Sequence, residues 1–288
     1  MRQAQAAVAA ARDGSLARAA YLHQAFIGGL YFDLGNLEAS FRQRQEALDG
    51  LLAIGDIHSA GYILTYLADI HHVQLEQAQA IDKLNRASDI FRTVNDLRGL
   101  ASSESPLAGA LLWLGQAAQA RQVIEQMLVE TKGKSTERLW GYRLNKRAMI
   151  QLVQGEVEAA RETLEYALAL PSVRTYPMLR FELHTTLAVA RITTGSLDLA
   201  SEALDTAPKL EGLSRWAEFE RDLADGYRLV FQGDEAGARA VVMRLDPQVA
   251  QFPMYRECAD RLKAALERPG TPGLVPALLW MGPVSLSK

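Results

Sequence analysis

The stretch Ala148-Met-Ile-Gln-Leu-Val-Gln-Gly155-Glu-Val-Glu-Ala-Ala160-Arg-Glu-Thr-Leu164 decides the fold. A small residue stands seven before its glycine, another five after, and a large aliphatic nine after. Gly35, Gly115 and Gly195 lie at multiples of 40 residues from Gly155, and Gly233 ends a further copy two residues early. Leu75 holds the remaining place, where Ala68-Asp-Ile-His-His-Val-Gln aligns with Ala148-Met-Ile-Gln-Leu-Val-Gln. Seven before these points come Gly28, Ala68, Ala108, Ala148, Ala188 and Gly226. Five after come Ser40, Ala80, Ala120, Ala160, Ala200 and Ala238, and nine after come Arg44, Leu84, Ile124, Leu164, Leu204 and Val242. Small residues on both sides of a turn let two helices cross closely in an antiparallel hairpin, and the position nine after the turn fills the gap between hairpins.

A second set of breaks, at Gly14, Gly55-Asp56, Asn95-Asp96, Gly133, Ser172 and Gly212, carries helix-stop and N-cap residue types. First helices (A) are therefore expected over 16–34, 56–74, 96–114, 135–154, 174–194 and 213–232, and second helices (B) over 36–53, 76–93, 116–131, 156–170, 196–207 and 234–245. Residues 2–12 read as the B helix of a preceding unit, and 252–267 as a helix covering the last one. Pro106 falls inside the third A helix, where it should kink the helix or delay its start. One hairpin cannot bury its apolar face alone, but stacked neighbours do. The expected fold is all-α: a right-handed superhelical solenoid of antiparallel helix pairs, about six repeats plus capping helices, over residues 1–267.

Composition agrees. The chain has 288 residues, rich in Ala and Leu, with 7% aromatic residues, a net charge of -3 and one cysteine, Cys258. Ala and Leu lose least on entering a helix. A mildly acidic chain has no overall field drawing it to nucleic acid or to an acidic membrane. One cysteine excludes an internal disulfide framework, and no apolar run approaches the ~20 residues that span a bilayer. The reading is a cytoplasmic protein with no membrane association and no cofactor.

Leu114-Gly-x-x-x-x-Ala120, with the small residue before it and the large one after, resembles the tetratricopeptide repeat, in units longer than the usual ~34 residues. Phe91-Arg-Thr-Val-Asn-Asp-Leu-Arg-Gly-Leu-Ala resembles the long-repeat arrays of bacterial transcriptional regulators, the MalT-like activators and AfsR-like antibiotic regulatory proteins. The resemblance implies a groove lined by A-helix positions: Tyr62, Thr65, Asp69 and His72 in the second unit, Ser105 and Trp113 in the third, Tyr142, Asn145 and Met149 in the fourth, Glu182 and Thr185 in the fifth. Such a surface suits a protein or peptide segment, or a small effector.

No metalloprotease, nucleophile-elbow or phosphate-loop motif appears, so the sequence points to recognition rather than catalysis. His71 and His72 are adjacent, point about 100° apart on a helix, and read as helix-surface residues. Gly28-Gly29 and Gly141 read as places where a neighbour comes close. Lys132, Lys134, Arg138, Arg143, Lys146 and Arg147 form a basic stretch with two readings, a patch for an anionic partner or a solvated helix face with some positions packed on the next repeat.

Three prolines between Pro269 and Pro276 mark a linker over 268–276. The tail 277–288, with Leu279-Trp-Met-Gly-Pro-Val-Ser-Leu286, resembles the opening of a winged-helix DNA-binding domain; the other reading packs it on the last repeat. The chain is then either the sensor or interaction part of a bacterial transcriptional regulator, with DNA reached only through an adjoining domain, or a free-standing scaffold bridging proteins. The apolar stripe of 252–267 serves either as a cap or as a homodimer contact.

Overall fold

The computed structural model describes residues 16–134, 136–209, 215–249 and 252–268. Among them are thirteen α-helices: α1 (Ala17–Asp33), α2 (Leu37–Ala53), α3 (Ile57–Val73), α4 (Gln77–Thr93), α5 (Leu97–Trp113), α6 (Ala117–Thr131), α7 (Glu137–Val153), α8 (Val157–Ala169), α9 (Pro177–Thr193), α10 (Leu197–Thr206), α11 (Arg215–Gln232), α12 (Glu235–Val249) and α13 (Pro253–Glu267). The fold is all-α, a tandem array of antiparallel helix pairs. The helix expected over 2–12 and the tail expected over 277–288 lie outside the described residues.

Each of the first four helices has 17 residues and is followed by a three-residue turn. At Gly35, Gly55, Leu75 and Asn95 the backbone is left-handed, with φ of 77°, 77°, 65° and 54°. The residue after each sends its N–H back five positions, as Asn36 does to the Tyr31 carbonyl at 2.9 Å and Asp56 to Leu51 at 2.9 Å. This cap satisfies carbonyls that a helix end otherwise leaves open. It recurs at Gly115, Gly155, Gly195 and Gly233. In the first unit Gly55 and Asn95, of the second set of breaks, thus use the same motif as the first set. The next helix starts at once, with Asn36, Asp56 and Asp96 accepting from the N–H of Ala39, Ser59 and Gly99 at 3.0–3.1 Å.

The chain divides into two compact units, up to Leu107 and from Ala108. In the first, each helix from α1 to α4 packs on the next, and α1 also meets α3. The start of α5 joins α4 through Ser88 and Ser103, whose hydroxyls lie 2.9 Å apart, and through the Arg92–Glu104 ion pair. In the second unit, α7 to α13 pack in sequence order and the A helices α7, α9 and α11 form a contiguous row. The small residues before and after the turns are fully buried, from Ala68 and Ala80 to Ala188 and Ala200. Leu84, Ile124, Leu164 and Leu204 are buried beside them. Gly28 and Gly141 do admit close neighbours: a Cβ there would meet Arg44 Cγ and Leu179 Cδ2, each at 2.7 Å.

Departures from the expected pattern have local causes. Helix α5 begins at Leu97 with Pro106 inside it, so the proline does not delay the start. A 3-10 turn, Pro171–Thr175, precedes α9, because Pro171 and Pro177 each fit a first helical position but interrupt a longer helix. Helix α12 continues past the expected end at 245 to Val249. The stripe of α13 is occupied within the chain: Tyr255, Cys258 and Leu262 are buried where it packs on α11 and α12, so it acts as a cap. No helix among the described residues is long and apolar enough to cross a membrane.

Leu75 alone among these left-handed turns carries a side chain other than Gly or Asn. The conformation costs a leucine ~1–2 kcal/mol. Leu75 is largely outside the core, so Leu75→Gly should raise unfolding stability by about 1 kcal/mol and the thermal midpoint by roughly 2 °C. Chemical and thermal denaturation followed by circular dichroism check this; a lower midpoint would show that the leucine side chain outweighs its backbone cost.

Candidate functional site

Two places in the array bury polar groups among its packed helices. In the first unit a cavity of about 490 Å³ opens along α1 and α3. Leu22, Ala25, Phe26 and Leu30 of α1 face Tyr62, Ile63 and Tyr66 of α3 across it, and Arg18, Asp33 and His58 add polar edges. Arg44 of α2 also lines it. This arginine occupies the place nine residues after the turn, aliphatic in the other repeats. It is 7% exposed, with its guanidinium carbon 5.3 Å from the Phe32 ring centroid and 5.2 Å from that of Tyr66. Its Nη1 donates to the Tyr66 carbonyl at 2.6 Å.

Of the sequence-predicted residues, Tyr62 lies on this cavity and donates its hydroxyl to Asp96 at 2.6 Å, with the ring of Phe91 at 4.7 Å. Burial alone would raise the Asp96 carboxyl, but hydrogen bonds from Tyr62, Gly99, His58 and Arg98 overcome it and hold the pKa down to about 2. Burial lifts Asp69 to about 6, with Arg44 opposing. Thr65 and His72 turn into the helix packing. The Thr65 hydroxyl donates to the Tyr62 carbonyl at 2.7 Å, and His72 Nδ1 pairs with Gln77 Oε1 at 2.6 Å. His72 is therefore not on the helix surface, as its sequence suggested: it closes the α3–α4 hairpin. Ser105 and Trp113 are half-buried on α5.

The second place lies on the A-helix row of the second unit. Asn145 of α7 is fully buried and donates its side-chain N–H to Glu182 of α9 at 3.3 Å. Lys146, also buried, points its ammonium at the Met149 sulfur at 3.6 Å. Glu220 of α11 faces both Glu182 and Lys146 electrostatically. Burial raises Glu182, with Lys146 and Asn145 opposing, and raises Glu220 to about 8, with Glu182 adding to the rise and Lys146 opposing. Burial lowers Lys146 against the pull of both carboxyls. Tyr142 is pushed up to about 12 by burial and by Glu182, with Arg138 opposing. Three polar atoms here are buried without a hydrogen-bond partner: Asn145 Oδ1, Thr185 Oγ1 and Glu220 Oε1.

The structure thus brings Tyr142, Asn145, Met149, Glu182 and Thr185 onto one helix row in the second unit, and Tyr62 onto the cavity of the first. Lys146 and Glu220 were not among the predicted site residues. Glu220 stands thirteen before Gly233, the place of Tyr62, Tyr142 and Glu182 in their units, so the repeat register alone could have found it. The basic stretch shows the mixture of its second reading, with Lys132 and Lys134 exposed and other members packed inward. Arg143 and Lys146 are buried, Arg147 pairs with Glu125 at 3.0 Å, and Arg138 sits 5.0 Å over the Tyr176 ring.

No family model and no curated protein matches the sequence. Solved structures match in fold. A Rap protein complexed with competence and sporulation factor gives a TM-score of 0.65 at 15% identity, covering 89% of this chain and 77% of that one. The Rap conjugation gene regulator of the plasmid pLS20, in complex with a Phr peptide, gives 0.65 at 12%, covering 86% and 74%. The apo form of RapI gives 0.57 at 13%, covering 88% and 77%. At this identity the likeness is one of fold.

An acid whose folded-state pKa is raised holds its proton more tightly in the folded chain. Its contribution is fully present below the ordinary value of 4.5 and is lost as the pH rises toward about 8 for Glu220. Glu220→Gln should therefore be more stable than the wild type at pH 8.5, by at least about 1 kcal/mol, with the gap closing toward pH 4.5. Denaturation in urea across that range checks it; a gap independent of pH would remove the carboxyl as its cause.

Proposed function

We propose that the A-helix row α7, α9 and α11 binds an extended peptide carrying a basic group, and that the chain serves as the sensing part of a bacterial transcriptional regulator acting in the cytoplasm. The observation that carries the peptide reading is the buried polar row itself. An amide and a hydroxyl, Asn145 Oδ1 and Thr185 Oγ1, hold hydrogen-bonding capacity that no described residue uses, available to a peptide backbone once the row parts to admit it. Two carboxyls, Glu182 and Glu220, stand against one ammonium, Lys146, and a basic group arriving beside them would favour the ionised form of Glu220 that burial disfavours. Fold likeness adds to this: one similar structure holds a Phr peptide and another competence and sporulation factor. The regulator role rests on the long-repeat resemblance and on the description of one neighbour as a conjugation gene regulator. Contact with DNA would then belong to an adjoining domain.

A pool of random pentapeptides, each with one fixed Arg or Lys, passed over immobilised protein tests the peptide reading. Wild type should retain a defined subset, and the pair Asn145→Ala with Glu182→Gln should weaken its best member by at least about tenfold. Tyr142→Ala should weaken it as well. Equal retention of a matched pool with Gln in place of the basic residue, or affinity unchanged in the variants, would overturn the reading.

A further inference from the structure

Five of the six repeats place an aliphatic side chain nine residues after the turn, and the first places Arg44 there. Its path is made by Gly28, since a Cβ at that position would stand 2.7 Å from Arg44 Cγ. The side chain therefore runs along the α1 backbone and delivers its guanidinium to the cavity of the first unit. Phe32 and Tyr66 flank the group, which is more than nine-tenths buried. Among the described residues it has no ion-pair partner. Of its five N–H donors, one hydrogen bond is made, to the Tyr66 carbonyl, and the buried Nε has no acceptor. A buried charge in this condition is unfavourable unless something pairs with it.

We infer that this cavity is a binding site for a small monocarboxylic acid with an apolar or aromatic body, its carboxylate held by Arg44. The planar guanidinium fork matches a carboxylate in two parallel hydrogen bonds. The walls that receive the body are apolar, and Phe26, 61% exposed although it faces the cavity, supplies a surface for it. The volume of about 490 Å³ is that of a small-molecule pocket. Asp33 on the lining and Asp69 within electrostatic range of Arg44 select against a polyanion such as a nucleotide, leaving a single negative charge as the best match. The site lies wholly in the first unit and does not rest on the peptide reading of the second, so either fails without the other.

Calorimetric titration of the whole chain with 4-phenylbutyrate and its neutral amide tests the assignment. The acid should saturate and bind at least about tenfold more tightly than the amide. Arg44→Leu, which installs the residue type of the other repeats, should erase that preference while helicity and thermal midpoint hold or rise. Phe26→Ala, at an exposed position, should weaken acid and amide alike, and serves should Arg44→Leu fail to fold. A third arm uses Ala-Leu-Phe with a free or an amidated C-terminus. Binding of the free-acid peptide without binding of phenylbutyrate would overturn the small-acid assignment in favour of a peptide terminus. Acid and amide binding equally, neither saturating at millimolar concentration, or an acid preference surviving in Arg44→Leu would overturn it outright.

Discussion

A left-handed residue every twenty positions is the constraint on which the first unit depends. It ends each helix after 17 residues, reverses the chain within three, and presents the next N-cap at once. Helices of equal length, each about 25 Å by the helical rise, then stand level with one another. A residue at a given distance from its turn meets the same neighbours in every copy. That is why small residues recur where backbones cross and aliphatic ones where hairpins meet. In the second unit the turns within hairpins keep this form but those between hairpins differ: Lys132 is extended before Gly133, and a 3-10 turn follows α8. The B helices α8 and α10 shorten to 13 and 10 residues. The A helices keep their length, and the row that carries the polar cluster stays in register.

Much of this was legible in the sequence because its causes are local or periodic. Gly155 with Ala148, Ala160 and Leu164 specifies a turn, two close approaches and a packing position within seventeen residues. Leu75 was recoverable from its flanks, although nothing about a leucine advertises a left-handed backbone. What escaped was the burial of polar side chains, which depends on residues a whole repeat away. Lys146 reads as part of a basic face until Glu182 and Glu220 arrive from α9 and α11. His72 reads as exposed until Gln77, across the turn, closes on it. The 3-10 turn before α9 was also hidden, since two prolines six residues apart mark a boundary without saying which side of it stays helical.

The repeat supplies a scaffold and its exceptions supply the chemistry, as is general where one fold serves many partners. The two exceptional places differ in kind. On α7, α9 and α11 acids and a base face one another across adjacent helices, each altering the others' protonation. At Arg44 a single cation lies among aromatic rings, with its acids at a distance. The first arrangement is suited to sensing charge along an extended segment. The second accepts one headgroup at one point.

The arginine has a mechanical consequence as well. In a stacked array each helix is held mainly by its immediate neighbours, so an unfavourable group weakens its own seam and leaves the others closed. Where α1 and α2 meet α3, an underpaired cation threaded past a glycine adjoins an open cavity, whereas the seam of α7 with α9 is closed by Leu179 packing against Gly141. The array is therefore unevenly stiff. In the first unit the weaker joint is that of α1 with α3, along which the cavity opens, while α1 stays closely packed on α2.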